Sequence, residues 1–225
     1  MLFVRTPILL MRLFPDLIWH LSGRDEVKKQ IYLTFDDGPT PEVTPWVLEQ
    51  LKKFNAKATF FCLGRNVDRY PEIYKQILSE GHAVGNHTYS HLKGSQTNNS
   101  EYFGDIELAG SVINSKLYRP PYGRFRKSQI RQIRKDYNIV MWDVLSQDYD
   151  PAVNPEKCLS NVMKNVKAGS IVVFHDSLKA RENLFYTLPI LLESLSKEYE
   201  FISIEPPGSF KAARKAKTIN AELAY

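Results

Sequence analysis

Cysteine is scarce in this sequence. Two residues, Cys62 and Cys158, among 225 cannot form a disulfide framework, and both are expected as buried thiols. Long apolar runs are missing as well. The N-terminal stretch MLFVRTPILLMRLFPDLIWHLSG comes nearest, but Arg5, Arg12, Pro15 and Asp16 interrupt it. It has no unbroken core ahead of a small-residue cleavage site and is too broken to span a bilayer. A cleavable signal peptide is therefore not expected, and the chain reads as cytoplasmic or peripherally membrane-associated. Residues 1–29 are expected to form a capping segment, with Ile8, Leu9, Met11, Leu13 and Phe14 covering the apolar underside of the domain. A shallow membrane contact through residues 1–20, with Arg5 and Arg12 reaching toward head groups, is the alternative. No internal repeat is visible. With 43% apolar and 24% charged residues, the chain is neither disordered nor collagen-like.

An excess of charge of one sign is nearly absent from the body of the chain. The net charge is +5, but Lys211, Arg214, Lys215 and Lys217 in a basic tail (206–225) account for four of those charges and leave +1 on the rest. A second basic run, Arg124 to Lys135, holds six cations and no acid. Phe125 is the one aromatic residue in the two runs, so the internal run reads as a solvated helix face and no nucleic-acid partner is expected. The 12% aromatic share suits a core or a carbohydrate-facing cleft.

What is present is alternation. Apolar strand-like runs at 30–35, 57–62, 82–86, 117–119, 138–142, 170–175 and 199–204 alternate with helical patterns at 41–54, 71–80, about 100–115, 128–137, 155–167 and 182–195. Asn99 or Ser100 is the expected N-cap of the third helix, and Pro189 is a candidate kink in the last. Strands that are apolar throughout are buried on both faces, and strand–helix alternation implies parallel pairing with right-handed crossovers. Asp36 and Asp37 follow the first strand, His87 the third, Arg119 the fourth, Asp143 and Asp148 the fifth, and His175 closes the sixth. Reactive side chains at the C-terminal ends of many strands are a barrel pattern, whereas an open sheet gathers its site at one crevice. The expected fold is α/β, a distorted and incomplete (β/α) barrel of about seven parallel strands spanning residues 30–205.

Four short motifs carry the chemistry. In His87-Thr-Tyr-Ser-His91, two imidazoles four residues apart would face one ion if the segment forms a helical turn. Thr34-Phe-Asp36-Asp37-Gly38 supplies a carboxylate to complete a His, His, Asp set, which leaves open positions for water and substrate. Adjacent side chains at a strand end diverge, so one Asp is free to bind the metal while the other faces substrate. Arg119-Pro120-Pro121-Tyr122-Gly123 is a stiff turn that leaves the Tyr122 N–H available to a ligand. His175, at the end of SIVVFH, is a candidate general acid.

TFDDG (34–38), HTYSH (87–91), RPPYG (119–123), the Trp142–Tyr149 segment and VFH (173–175) together resemble the polysaccharide deacetylases, the NodB-homology or carbohydrate esterase family 4 enzymes. The motifs occur in that family's order over about residues 30–204. The resemblance implies hydrolysis of N-acetyl groups on N-acetylglucosamine-containing glycans, peptidoglycan or chitin-like, with one divalent metal, zinc or else cobalt. It implies Asp37, His87 and His91 as metal ligands and Asp36 as general base held by Arg119. It implies Tyr122 as oxyanion donor through its N–H, and His175 as general acid positioned by Asp148. Pro121, Tyr149 and Val173 are the implied substrate-pocket residues. Three positions depart from the family's usual pattern. Tyr149 replaces a Trp, Leu145 stands where an Asp is often found, and Val173 replaces a Leu. An O-acetyl esterase acting on a polymer such as acetylated xylan would use the same machinery. A non-catalytic binding module would have lost one of Asp36, Asp37, His87, His91 or His175, and none is lost.

Overall fold

The computed structural model describes residues 3–21 and 29–205; the basic run at 211–217 lies outside them. The elements in chain order are α1 (Ile8–Leu13), β1 (Lys29–Asp36), α2 (Thr44–Lys53), β2 (Thr59–Cys62), α3 (Gly64–Arg69), α4 (Pro71–Ser79), β3 (Ala83–Asn86), α5 (Asn99–Val112) and β4 (Leu117–Tyr118). A 3-10 turn at Pro121–Gly123 follows, then α6 (Lys127–Ile133), β5 (Asn138–Ile139), β6 (Val144–Leu145), α7 (Pro155–Met163), β7 (Ile171–His175), α8 (Arg181–Leu195) and β8 (Tyr199–Phe201). The strands run in the order β5-β4-β3-β2-β1-β7-β6, every pair parallel, and β8 pairs with the first half of β1. This is the expected incomplete barrel of seven parallel strands. The run expected as a strand at 138–142 is shorter, β5 ending at Ile139, and the additional strand is β6 at Val144–Leu145, beyond that run.

Strand periodicity divides the core in two. Ile31, Leu33 and Phe35 of β1, with Val172 and Phe174 of β7, face the helices. Phe35 lies 5.1 Å from the Phe60 ring and 6.0 Å from Phe174. Tyr32, Phe61, Tyr118, Ile171 and Val173 face the barrel interior. Full burial of an apolar side chain such as Phe35 contributes about 1.5–3 kcal/mol. Both cysteines are buried free thiols.

The N-terminal segment works as a seam rather than as an underside cap. Between β5 and β6 the sheet lacks direct pairing, and residues 5–20 fill that gap. Ile18 bridges Val140, Arg5 bridges Val144, and His20 bridges Ser170 beside β7. Leu17 and Trp19 are buried in the interior core, with Met11 and Phe14 packed against it. Ile8, Leu9 and Leu13, expected to cover apolar surface, are instead exposed, because α1 turns only Met11 toward the core. No helix among the described residues is long and apolar enough to cross a membrane. The basic run 124–135 overlaps α6, where Arg134 pairs with Asp16 of the seam at 2.6 Å.

Candidate active site

The register of β1 on β7 sets Asp36 opposite His175. Both side chains belong to the interior-facing set of their strands, so the two end at the same rim of the barrel. Arg119 follows β4 and runs across the interior without exposure to solvent. Its Nη1 donates to Asp36 Oδ1 at 2.7 Å and to Thr34 Oγ1 at 2.7 Å, and Nε and Nη2 donate to the carbonyls of Val140 and Met141. Its guanidinium carbon lies 4.0 Å from the Phe61 ring centroid. A buried charge needs this degree of satisfaction to be tolerated, and the arrangement fixes the orientation of the Asp36 carboxyl group.

Asp37, one residue on, turns away. Its φ of 80° lies in the left-handed region, and its backbone carbonyl accepts a hydrogen bond from Asn66 Nδ2 at 2.8 Å. His91 Nε2 lies 3.1 Å and His87 Nε2 3.7 Å from Asp37 Oδ1. The ligand atoms of the three residues all lie within 4.8 Å of one another. Asp37 Oδ1 is buried yet has no hydrogen-bond partner. An orphaned carboxylate oxygen facing two imidazole nitrogens fits a divalent cation among them. Burial alone would raise the Asp37 pKa, but His91, His175 and His87 outweigh it and hold the carboxyl well below its usual range. Burial lowers the His87 pKa to about 4 against the pull of Asp36. His87 is therefore neutral near pH 7. Its Nδ1 lies 2.7 Å from the Arg119 carbonyl, which cannot donate, so Nδ1 carries the proton and Nε2 presents its lone pair to the cluster.

The histidine pair is not on a helical turn. Residues 87–91 form a loop in which Thr88 and His91 both take positive φ, 66° and 64°. Local hydrogen bonds replace the helix. Thr88 N donates to Asn86 Oδ1, His91 N to Thr88 Oγ1, and Tyr89 N and Ser90 N both donate to Asp105 Oδ2. The rings still meet, 5.2 Å apart.

On the opposite wall, His175 Nδ1 lies 2.8 Å from Asp148 Oδ1, and its backbone N donates to Asp148 Oδ2 at 2.7 Å. Burial would lower the His175 pKa, but Asp148, joined by Asp37 and Asp36, raises it to about 9. It is an imidazolium at neutral pH with Nε2–H free to donate. In the Tyr122 turn, Gly123 and Arg124 supply the N–H groups that close onto Pro120 and Pro121. Tyr122, at φ 60°, keeps its own N–H out of those bonds, and its hydroxyl lies 3.2 Å from His91 Nδ1.

Asp36, Asp37, His87, His91, Tyr122 and His175 line one cleft of about 560 Å³, together with Trp142, Leu145, Tyr149 and Val173. Arg119 and Asp148 stand just behind it. Pro120 lines the cleft and Pro121 does not; Pro121, the first residue of the turn, is buried. Sequence reasoning missed several supports. Asp176 is buried, accepts from Gly38 N at 3.0 Å and Thr44 Oγ1 at 2.5 Å, and has its pKa raised to about 7, mainly by burial. Asn66, Asn86 and Asp105 hold the Asp37 and His87–His91 loops. Asx residues beside turns were the available signal for these supports.

Comparison with known proteins gives a consistent result. The model of the polysaccharide deacetylase family matches residues 23–142. A peptidoglycan-N-acetylglucosamine deacetylase of Bacillus cereus is 36% identical over 196 residues, spanning 83% of this chain and 90% of that one. A chitooligosaccharide deacetylase of Azorhizobium caulinodans is 34% identical over 157 residues, 66% of this chain and 74% of its own. Among solved structures, a peptidoglycan N-acetylglucosamine deacetylase in complex with 4-naphthalen-1-yl-N-oxidanyl-benzamide superposes with a TM-score of 0.74 at 32% identity. That alignment covers 88% of this chain and 95% of the other.

Proposed function

The chain belongs to the polysaccharide deacetylase family, and we propose that it hydrolyses the acetamide of N-acetylglucosamine units in a glycan, releasing acetate and leaving a free amine. The observation that carries this reading is the division of labour in one cleft. The Asp37–His87–His91 cluster and the His175–Asp148 pair face each other, with the Arg119-held Asp36 between them.

Asp37, His87 and His91 would hold a divalent ion, and His/His/carboxylate chemistry suits zinc, with cobalt the alternative. Such an ion supplies Lewis-acid polarisation of the acetamide carbonyl and acidifies water. The remaining steps fall to side chains. Asp36, oriented by its ion pair with Arg119, accepts the proton of the attacking water. The Tyr122 N–H donates to the oxygen on which charge develops, an interaction of a kind worth about 10²–10³ in rate. His175, cationic because of Asp148, donates its Nε2 proton to the departing nitrogen, which would otherwise leave as an amide anion. Trp142, Leu145, Tyr149 and Val173 form an apolar wall suited to the acetyl methyl group.

Asp36→Asn removes the proton acceptor and leaves the three ligands intact. The expected result is metal content equal to wild type with acetate release from chitin oligomers and peptidoglycan lowered at least about 100-fold. An Asn variant that turns over normally would remove Asp36 from the mechanism. Acetylated xylan in the same substrate panel separates ester from amide preference.

A further inference from the structure

The N-terminal segment and the basic run 124–135 are far apart in the chain, and the fold makes them neighbours. The Phe14 ring meets Phe125 edge-on at 5.8 Å, and Asp16 pairs with Arg134 at 2.6 Å. Lys127, Arg131 and Arg134 recur at i, i+4 and i+7, so they share one face of α6 and its C-cap. The Arg134–Asp16 pair turns that face toward the N-terminal segment, while Ile130 and Ile133 pack into the core.

Five of the ten exposed large apolar side chains among the described residues lie within residues 3–13: Phe3, Ile8, Leu9, Leu10 and Leu13. Single exposed apolar residues need no explanation, whereas a cluster of them marks an interaction surface. The surroundings of this cluster are cationic. Arg5 and Arg12 are exposed beside it, and so are all six cations of the 124–135 run. Asp16, already paired with Arg134, is the one acid in residues 3–21, and the 124–135 run has none. This charge selects the occupant. A second copy docked face to face would set cations against cations, and the chain's own 211–217 run carries the same sign. A surface that is anionic and also accepts apolar side chains meets both demands.

We propose that α1 and the adjoining face of α6 form a docking surface for an anionic lipid bilayer. Ile8, Leu9 and Leu13 enter the boundary between head groups and acyl chains, with Arg5 and Arg12 extending back to the head groups. Lys127 and Arg131 meet lipid phosphates alongside. Stable attachment to a bilayer takes two signals, apolar insertion and a polybasic patch. Each of the two features supplies one of them, and only the folded chain puts them together.

The test is sedimentation of the full chain with vesicles of phosphatidylcholine alone and of phosphatidylcholine with about 30% phosphatidylglycerol. Wild type should bind the anionic vesicles at least about tenfold more tightly, and the gap should narrow at about 0.5 M NaCl. Leu9→Ser with Leu13→Ser should weaken binding to anionic vesicles at least about tenfold. Lys127→Gln with Arg131→Gln should weaken it about tenfold. None of the four lines the cleft, so the thermal midpoint and acetate release should match wild type in both variants. Failure of wild type to bind anionic vesicles overturns the assignment. So does binding that survives the leucine substitutions, which would place the attachment in the 211–217 run. A wild-type dimer in analytical ultracentrifugation that the leucine substitutions dissociate would give the face to a second copy and overturn it as well.

Discussion

Asp36 and Asp37 are the same amino acid at consecutive positions, yet the fold gives them opposite surroundings. Asp36 continues β1 and meets Arg119, whereas Asp37 leaves the strand with positive φ and meets the histidines. Gly38 makes that departure possible. A Cβ there would lie 1.9 Å from Asp176 Oδ2, the oxygen that accepts from Thr44. Gly38→Ala is therefore expected to cost about 1–3 kcal/mol through overpacking, with a thermal midpoint several degrees lower. A thermal scan checks this. His175 gives a second consequence. Its folded pKa, about 9, lies above the ordinary 6.5, so the acid form dominates at neutral pH and is lost as pH rises through the folded value. Asp148→Asn deletes the main raising influence, while the lowering effect of burial stays. The alkaline limb of the kcat/KM profile should move down by at least about one pH unit, and an unmoved limb would separate that limb from His175. The Asp pair, Arg119 and His175 were legible because each sits at a strand end in an otherwise apolar run. Asp176 was not, since a carboxylate beside a histidine shows its role only once Gly38 and Thr44 are brought to it.

The elements that hold these residues divide into readable and unreadable classes for a physical reason. β1, β2 and β7 are buried on both faces, so their sequences are apolar throughout and their positions follow from composition. The His87–His91 loop carries spacing that suits a helix, but it is shaped by side-chain bonds to backbone from Asn86, Thr88 and Asp105, contacts that a one-dimensional pattern does not encode. The break at 140–143 was hidden likewise, because the N-terminal segment supplies strand-like partners there. The N-cap of α5 lies one residue earlier than expected. Asn98 Oδ1 accepts from Glu101 N at 2.9 Å, and Asn98 Nδ2 donates to Glu101 Oε2 at 2.9 Å. Asn98→Ala should cost about 1 kcal/mol, a fall of roughly 2–4 °C in thermal midpoint for a domain of this size, with kcat and KM unchanged. Differential scanning calorimetry alongside an acetate assay measures both.

The molecule as a whole is a sheet that fails to close by hydrogen bonding between its first and last path strands and is sealed by its own N-terminal segment. The barrel and its C-terminal rim of reactive groups were legible from strand–helix alternation. The seam was not, because Leu17 and Trp19 enter the core while the more apolar-looking Ile8, Leu9 and Leu13 stay outside, and hydropathy does not reveal which residues find partners. Closure matters to function because residues 140–145, which the seam orders, supply two carbonyl acceptors of Arg119 and the Trp142 and Leu145 walls of the cleft. In the proposed mechanism this geometry serves one divalent cation, for which Asp37, His87 and His91 are the candidate ligands. The most direct test is a calorimetric zinc titration of chelator-stripped wild type beside His91→Ala, with metal content read by mass spectrometry. One ion per wild-type chain and at least about 100-fold weaker binding in the variant are predicted. Full-strength binding by His91→Ala, or no zinc uptake by wild type, would contradict the account.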